Sequence, residues 1–284
     1  MDSTIFHKIL CPVDFSDAST QGLRYAGAVA QCQDARLIVL HNFKFSPPPC
    51  FTKSQDEKWE RRFQDCRNAA RKSLNELITA TLESQSREVE VRVINWFCAE
   101  GILNTAEQLQ TDLIVMGTHG RRGIDRLMLG SMTESICRTA PIPVLGIRPG
   151  VSQTEVPPRH LLCAVNNTPL SAHLLKIAIR MAKCFEASLT VLHVLGPGQK
   201  FPIADLGAWI LKEDRSQYPI QEMLRKGSVG KEIITAAIQS ECHLVLIGAH
   251  HRQFHGTNVL GTDTKLVMRH GPCPVLVVPS EGID

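Results

Sequence analysis

Residues 112–136, DLIVMGTHGRRGIDRLMLGSMTESI, pass from an apolar run through a glycine-rich loop into a segment of helical character. Gly117, Gly120, Gly123 and Gly130 punctuate the loop, and Ser131 opens the segment after it. Each glycine costs backbone entropy, so a junction this rich in them implies a close approach to the main chain. Strand, loop and helix in succession are the unit of α/β sheets, whose parallel strands are joined by right-handed helical crossovers.

Outward from this stretch the chain repeats itself. HKILCPVDFSDAS (7–19) resembles RHLLCAVNNTPLS (159–171), and LIVLH (37–41) meets LTVLH (189–193) at the same offset of 152. DLIVMGTHG (112–120) resembles HLVLIGAHH (243–251), and APIPVLGI (140–147) resembles GPCPVLVV (271–278), now at an offset of 131. The second copy is therefore shorter by 21 residues, lost between position 43 and about position 95 of the first. RPGVSQTEVPPRH (148–160) has a linker's composition, which predicts two domains, 1–150 and 158–284.

In each copy, short apolar runs such as KILCPV and LIVLH suit buried parallel strands, and the segments between them have helical periodicity. Trp59, Phe63, Cys66, Ala70, Leu74 and Leu77 recur on one helical face after the prolines at 47–49. REVEVRVI (87–94) alternates charge and valine, as an edge strand with one solvated face does. The expected fold class is α/β: two tandem doubly wound, Rossmann-like domains, each with five parallel strands and helices on both faces.

Composition narrows the partners. Of the 284 residues 43% are hydrophobic and 21% charged, a globular profile, and the net charge of +3 gives no ground for a nucleic-acid or membrane partner. No apolar run has the length of a bilayer span, and the N-terminus has no signal-peptide pattern. The ten cysteines form no CxxC pair and read as reduced thiols of a cytoplasmic protein. Cys11/Cys163 and Cys32/Cys184 recur at equivalent positions and read as small core residues.

In a doubly wound sheet, ligands sit beyond the carboxyl ends of the strands, where the winding reverses. PVDFS (12–16) and GTHG (117–120) then face each other across that crevice. Bare loop N–H groups and a helix N-terminus suit a phosphate. The plainer alternative is that Ser131 and Glu134 form a capping box and that Gly117 only turns the chain. Neither a Walker A loop nor G-x-G-x-x-G occurs, nor any nucleophile elbow or H-E-x-x-H, so no catalytic residue is assigned.

The spacing Gly117-x2-Gly120-x9-Gly130-Ser131, with PVDFS and PVLGI, resembles the universal stress protein family in its tandem form. That resemblance implies strand order 3-2-1-4-5 and an adenine nucleotide (ATP, AMP or ADP) in the first domain, with Mg2+ as its companion ion. Carried over, Asp14 meets the ribose, Pro12 and Val13 form the pocket floor, and Met116 ends the fourth strand. Gly117, Gly120, Gly130 and Ser131 take the phosphates, Met132 and Thr133 offer helix-start N–H groups, and His119 lies in the phosphate loop. Asn42, near the base, departs from the family's usual Val. The final strands of the two copies are expected to pair within the chain, as a homo-oligomer's would. The implied function is a non-enzymatic, nucleotide-binding stress-response regulator; the alternative is an interaction or small-ligand module that uses no nucleotide.

The second copy replaces Asp14 by Asn166, Gly120 by His251 and Met132 by Asp263, and is expected to have lost its phosphate site. His243, His250, His251 and His255 match no zinc signature, so no metal site is assigned.

Overall fold

The computed structural model describes residues 4–43, 45, 53–82, 89–95, 98–119, 129–150, 155–166, 168–196, 218–249, 251–254 and 257–280. Its first half alternates β1 (Lys8–Pro12), α1 (Asp17–Gln33), β2 (Arg36–Asn42), α2 (Lys53–Leu82), β3 (Glu90–Ile94), α3 (Cys98–Leu109), β4 (Leu113–Gly117), α4 (Ser131–Thr139) and β5 (Val144–Ile147). The second half runs β6 (His160–Val165), α5 (Pro169–Phe185), β7 (Ser188–Leu195), β8 (Ile220–Lys226), α6 (Val229–Gln239), β9 (Leu244–Ala249), β10 (His251–Phe254), β11 (Thr257–Leu260), α7 (Thr262–His270) and β12 (Val275–Pro279). The described residues of the first half show four helices and those of the second three. They also show an antiparallel β10–β11 hairpin that the sequence reading did not foresee.

Ten strands among the described residues form one sheet in the order β3-β2-β1-β4-β5-β12-β9-β6-β7-β8. Each half has the expected order 3-2-1-4-5, and β3 does lie at an edge. Pairing is parallel inside each half and antiparallel where β5 meets β12, with Val144, Leu145 and Gly146 opposite Val277, Leu276 and Val275. Alternation along the strands feeds two cores. Ile9 and Cys11 of β1 face the layer of α1, α2 and α5, whereas Leu10 faces α3, α4, α6 and α7. Duplication reaches the backbone itself: Asp34 and Glu186 end α1 and α5 in left-handed conformation, with φ of 56° and 52°.

At the junction, residues meet their own duplicates, which places them on the pseudo-twofold axis. Cys32 of α1 is bonded to Cys184 of α5, with Cα atoms 5.7 Å apart and a separation of 152 residues that equals the repeat offset. This corrects the reading of the pair as reduced core thiols: both are only half-buried, because the axis lies where two helices approach each other at the surface. Cys11 and Cys163 are core residues as expected, fully buried, with burial pushing the Cys11 thiol up to about 12. On the other face Glu134 of α4 pairs with its counterpart Lys265 of α7, and Arg269 stands 3.8 Å from the same carboxylate. Two identical copies would set Glu against Glu here; the divergence to Lys turns repulsion into attraction and favours pairing within one chain.

Candidate functional site

β1 and β4 are neighbours, with Ile9 and Leu10 opposite Leu113 and Ile114, so the segments following them open on one crevice. Beyond β1 the chain turns through Phe15, a bulky residue in left-handed conformation (φ 62°). Its ring lies against His41 at 4.7 Å between centroids, and His41 Nδ1 lies 2.7 Å from the Val13 carbonyl oxygen. The turn delivers Asp14 to the start of α1. Asp14 Oδ1 accepts from the Ser16 N–H (3.1 Å) and Ser16 Oγ (2.5 Å), which fixes the rotation of the carboxylate. Ser16 caps α1 by accepting from the Ser19 N–H at 3.2 Å.

Across the crevice two glycines serve chain-on-chain packing. A Cβ on Gly117 would stand 2.9 Å from the Ser19 nitrogen, so its absence lets β4 seat against the start of α1. A Cβ on Gly130 would stand 2.5 Å from the Thr118 carbonyl oxygen, the acceptor of the Gly130 N–H at 2.9 Å. Gly117 therefore does more than turn the chain. The capping-box alternative fails, because Gly130 occupies the N-cap position, leaving Ser131 inside the helix, and among the described residues no side chain caps α4. Glu134 instead turns to Lys265. Thr133 Oγ1 donates to the Gly117 carbonyl at 3.1 Å and holds the helix start against the strand end. The N–H groups of the first turn of α4 are thus left at the cavity with the helix's positive end.

The resulting cavity has a volume of about 620 Å3, within the range of small-molecule sites. Pro12, Val13, Asp14, Asn42, Met116, Gly117, His119, Gly130, Ser131, Met132 and Thr133 all line it. Gly120, Arg121, Arg122 and Gly123 lie outside the described residues. Ser19, Leu40, Ile102 and Thr118 also line it and were not singled out from sequence; apolar residues on strands and helices look the same in a core and in a cavity wall.

His119 is 8% exposed and its Nδ1 lies 2.9 Å from Thr118 Oγ1. Its Nε2 is buried and has no hydrogen-bond partner among the described residues. A buried polar atom without a partner is costly and is usually satisfied by a bound group. If Thr118 donates to Nδ1, the Nε2 proton points to an acceptor such as a phosphate oxygen. An orphaned donor, an uncapped helix start and a carboxylate suited to sugar hydroxyls form a donor and acceptor set that fits a nucleotide.

The second half holds a matching cavity of about 670 Å3 at the same strand ends. Its phosphate site was expected to be lost through Asn166, His251 and Asp263. Asp263 lines the cavity; the side chain of His251, and His250 and His255 altogether, lie outside what the structure describes. Among the described residues no group of three or more His, Cys, Asp or Glu side chains could hold a metal ion. No helix among them is long and apolar enough to cross a membrane.

Comparison with known proteins agrees with the fold. The model of the universal stress protein family matches residues 5–148 and again 158–279. A universal stress protein of Thermus aquaticus is 31% identical over 144 residues, covering 51% of the chain and 100% of that protein. Universal stress protein MJ0531 of Methanocaldococcus jannaschii is 28% identical over 145 residues, 51% of the chain and 83% of its own length. In three dimensions, the crystal structure of a universal stress protein from Archaeoglobus fulgidus superposes with a TM-score of 0.74. It covers 96% of this chain and 98% of its own at 19% identity, a likeness of fold.

Proposed function

Because the chain belongs to the universal stress protein family and carries the family's domain twice, we propose that it is a non-enzymatic regulator whose first domain holds ATP. The observation that carries this reading is the cavity in which the uncapped start of α4 and the orphaned His119 Nε2 face Asp14. Asp14 would accept from the ribose hydroxyls, and Val13, Leu40 and Met116 would pack against the base, with Asn42 at its rim. Ser131, Met132 and Thr133 would offer main-chain N–H groups to the phosphates, with His119 beside them. Bound ATP would supply charge and bulk that bias the conformation of the first domain or its choice of partner. Mg2+ would enter with the polyphosphate.

Asp14→Asn tests the ribose contact without endangering the fold. The second copy already carries Asn166 at this place, where Oδ1 accepts from Thr168 Oγ1 at 2.6 Å and from Ser171 Oγ at 2.8 Å. Loss of the charge-assisted bond is expected to weaken ATP binding about tenfold in calorimetric titration, with the unfolding midpoint unchanged. An undiminished affinity would remove Asp14 from the site. Absence of ATP binding by the parent protein would favour a nucleotide-independent interaction module.

A further inference from the structure

The second cavity keeps the position and size of the first but changes its chemistry at both ends. At the inner end, Val194 stands where the first copy has Asn42 and Ile247 where it has Met116, so both positions are aliphatic and join Leu192 in an apolar stretch of wall beside His193. At the outer end, Asp263 stands where the first copy has Met132, in the first turn of α7. This carboxylate is built into the structure. Its Oδ1 accepts from the Gly230 N–H of α6 at 2.9 Å. A Cβ on Gly230 would lie 3.0 Å from that oxygen, so the bare backbone of Gly230 makes the seat. Among the described residues Asp263 has no cationic partner. On the inner side, Asn166 is held by Thr168 and Ser171 as Asp14 is held by Ser16, and it adds a neutral amide to the wall.

These features select against a phosphate and for a hydrogen-bond donor. A fixed carboxylate repels a phosphate ester placed at the start of α7, whereas it accepts readily from a hydroxyl. We infer that the second cavity binds an unphosphorylated purine nucleoside, its base on the apolar stretch of wall and a sugar hydroxyl donating to Asp263. The choice of a nucleoside rests on the nucleotide reading of the first cavity, since the two share their architecture. The chain would then take two ligands of one chemical kind that differ in phosphorylation, one in each half.

The test is equilibrium binding of radiolabelled adenosine to the full-length protein with ATP present in excess, followed by competition with AMP. One adenosine per chain is expected, displaced by AMP at least tenfold less effectively than by unlabelled adenosine. Asp263→Asn keeps the acceptor for Gly230 and removes the charge; in this variant AMP and adenosine should compete within about threefold of each other. Failure of adenosine to bind in excess ATP overturns the inference, as does AMP matching adenosine in the parent protein or discrimination that survives Asp263→Asn. The two readings fail separately. ATP bound without adenosine leaves the first-cavity proposal alone standing, and adenosine bound with Asp263-dependent selectivity but no ATP leaves only this one.

Discussion

Met132→Asp is expected to weaken ATP binding by about 30-fold or more while leaving the protein at least as stable. The residue opens α4, lines the first cavity and is 40% exposed, so the substitution disturbs no core. An acidic side chain in the first turn complements the helix dipole and adds a few tenths of a kcal/mol or more to stability. The same carboxylate, at roughly 5 Å from a phosphate and an effective dielectric of about 20, costs about 3 kcal/mol before screening. About 2 kcal/mol after screening corresponds to some 30-fold in affinity. Calorimetry and thermal unfolding together check both signs. Met132→Gln, which has no charge, should stay within about threefold of the parent. An equal loss for Asp and Gln would mean that shape rather than charge governs this end of the cavity.

The second large effect concerns the junction. Cys32 and Cys184 are separated by 152 positions in sequence, with the linker and most of the first domain between them. Closing a loop of that length removes denatured-state entropy worth about 5 kcal/mol in the chain-entropy account. Cys184→Ser, or reduction of the parent, is therefore expected to lower the unfolding free energy by about 3–5 kcal/mol in urea titration. The sheet should survive, since β5 and β12 remain paired and Glu134 still faces Lys265 and Arg269. Coincident urea midpoints for oxidised and reduced protein would show that the helices are held together by packing alone.

Much of the architecture was legible because periodicity and repetition are local properties of a chain. The alternation of REVEVRVI marked β3 as an edge, and the matching PVLGI and PVLVV segments marked the strands that join the halves. The adjacency of Asp14 and Gly117 followed from the rules of doubly wound sheets. What escaped depends on approach in three dimensions. Gly117 and Gly130 were read as making room for a ligand, whereas the missing Cβ of each faces protein backbone. Ser131 and Glu134 have capping-box spacing, yet Gly130 takes the cap and Glu134 turns to the other half. The left-handed Phe15 gives no sign in the sequence, because the conformation is imposed by its surroundings. One overlooked signal was available. Cys32 and Cys184 differ by the repeat offset itself, and in a two-fold arrangement a residue and its duplicate can meet only on the axis.

The ligand content of protein purified without added nucleotide tests the central claim most directly. Heat release followed by chromatography is expected to yield adenine nucleotide at close to one equivalent per chain, lost in the Met132→Asp variant. Protein that releases no nucleotide and takes up no ATP on titration would contradict it.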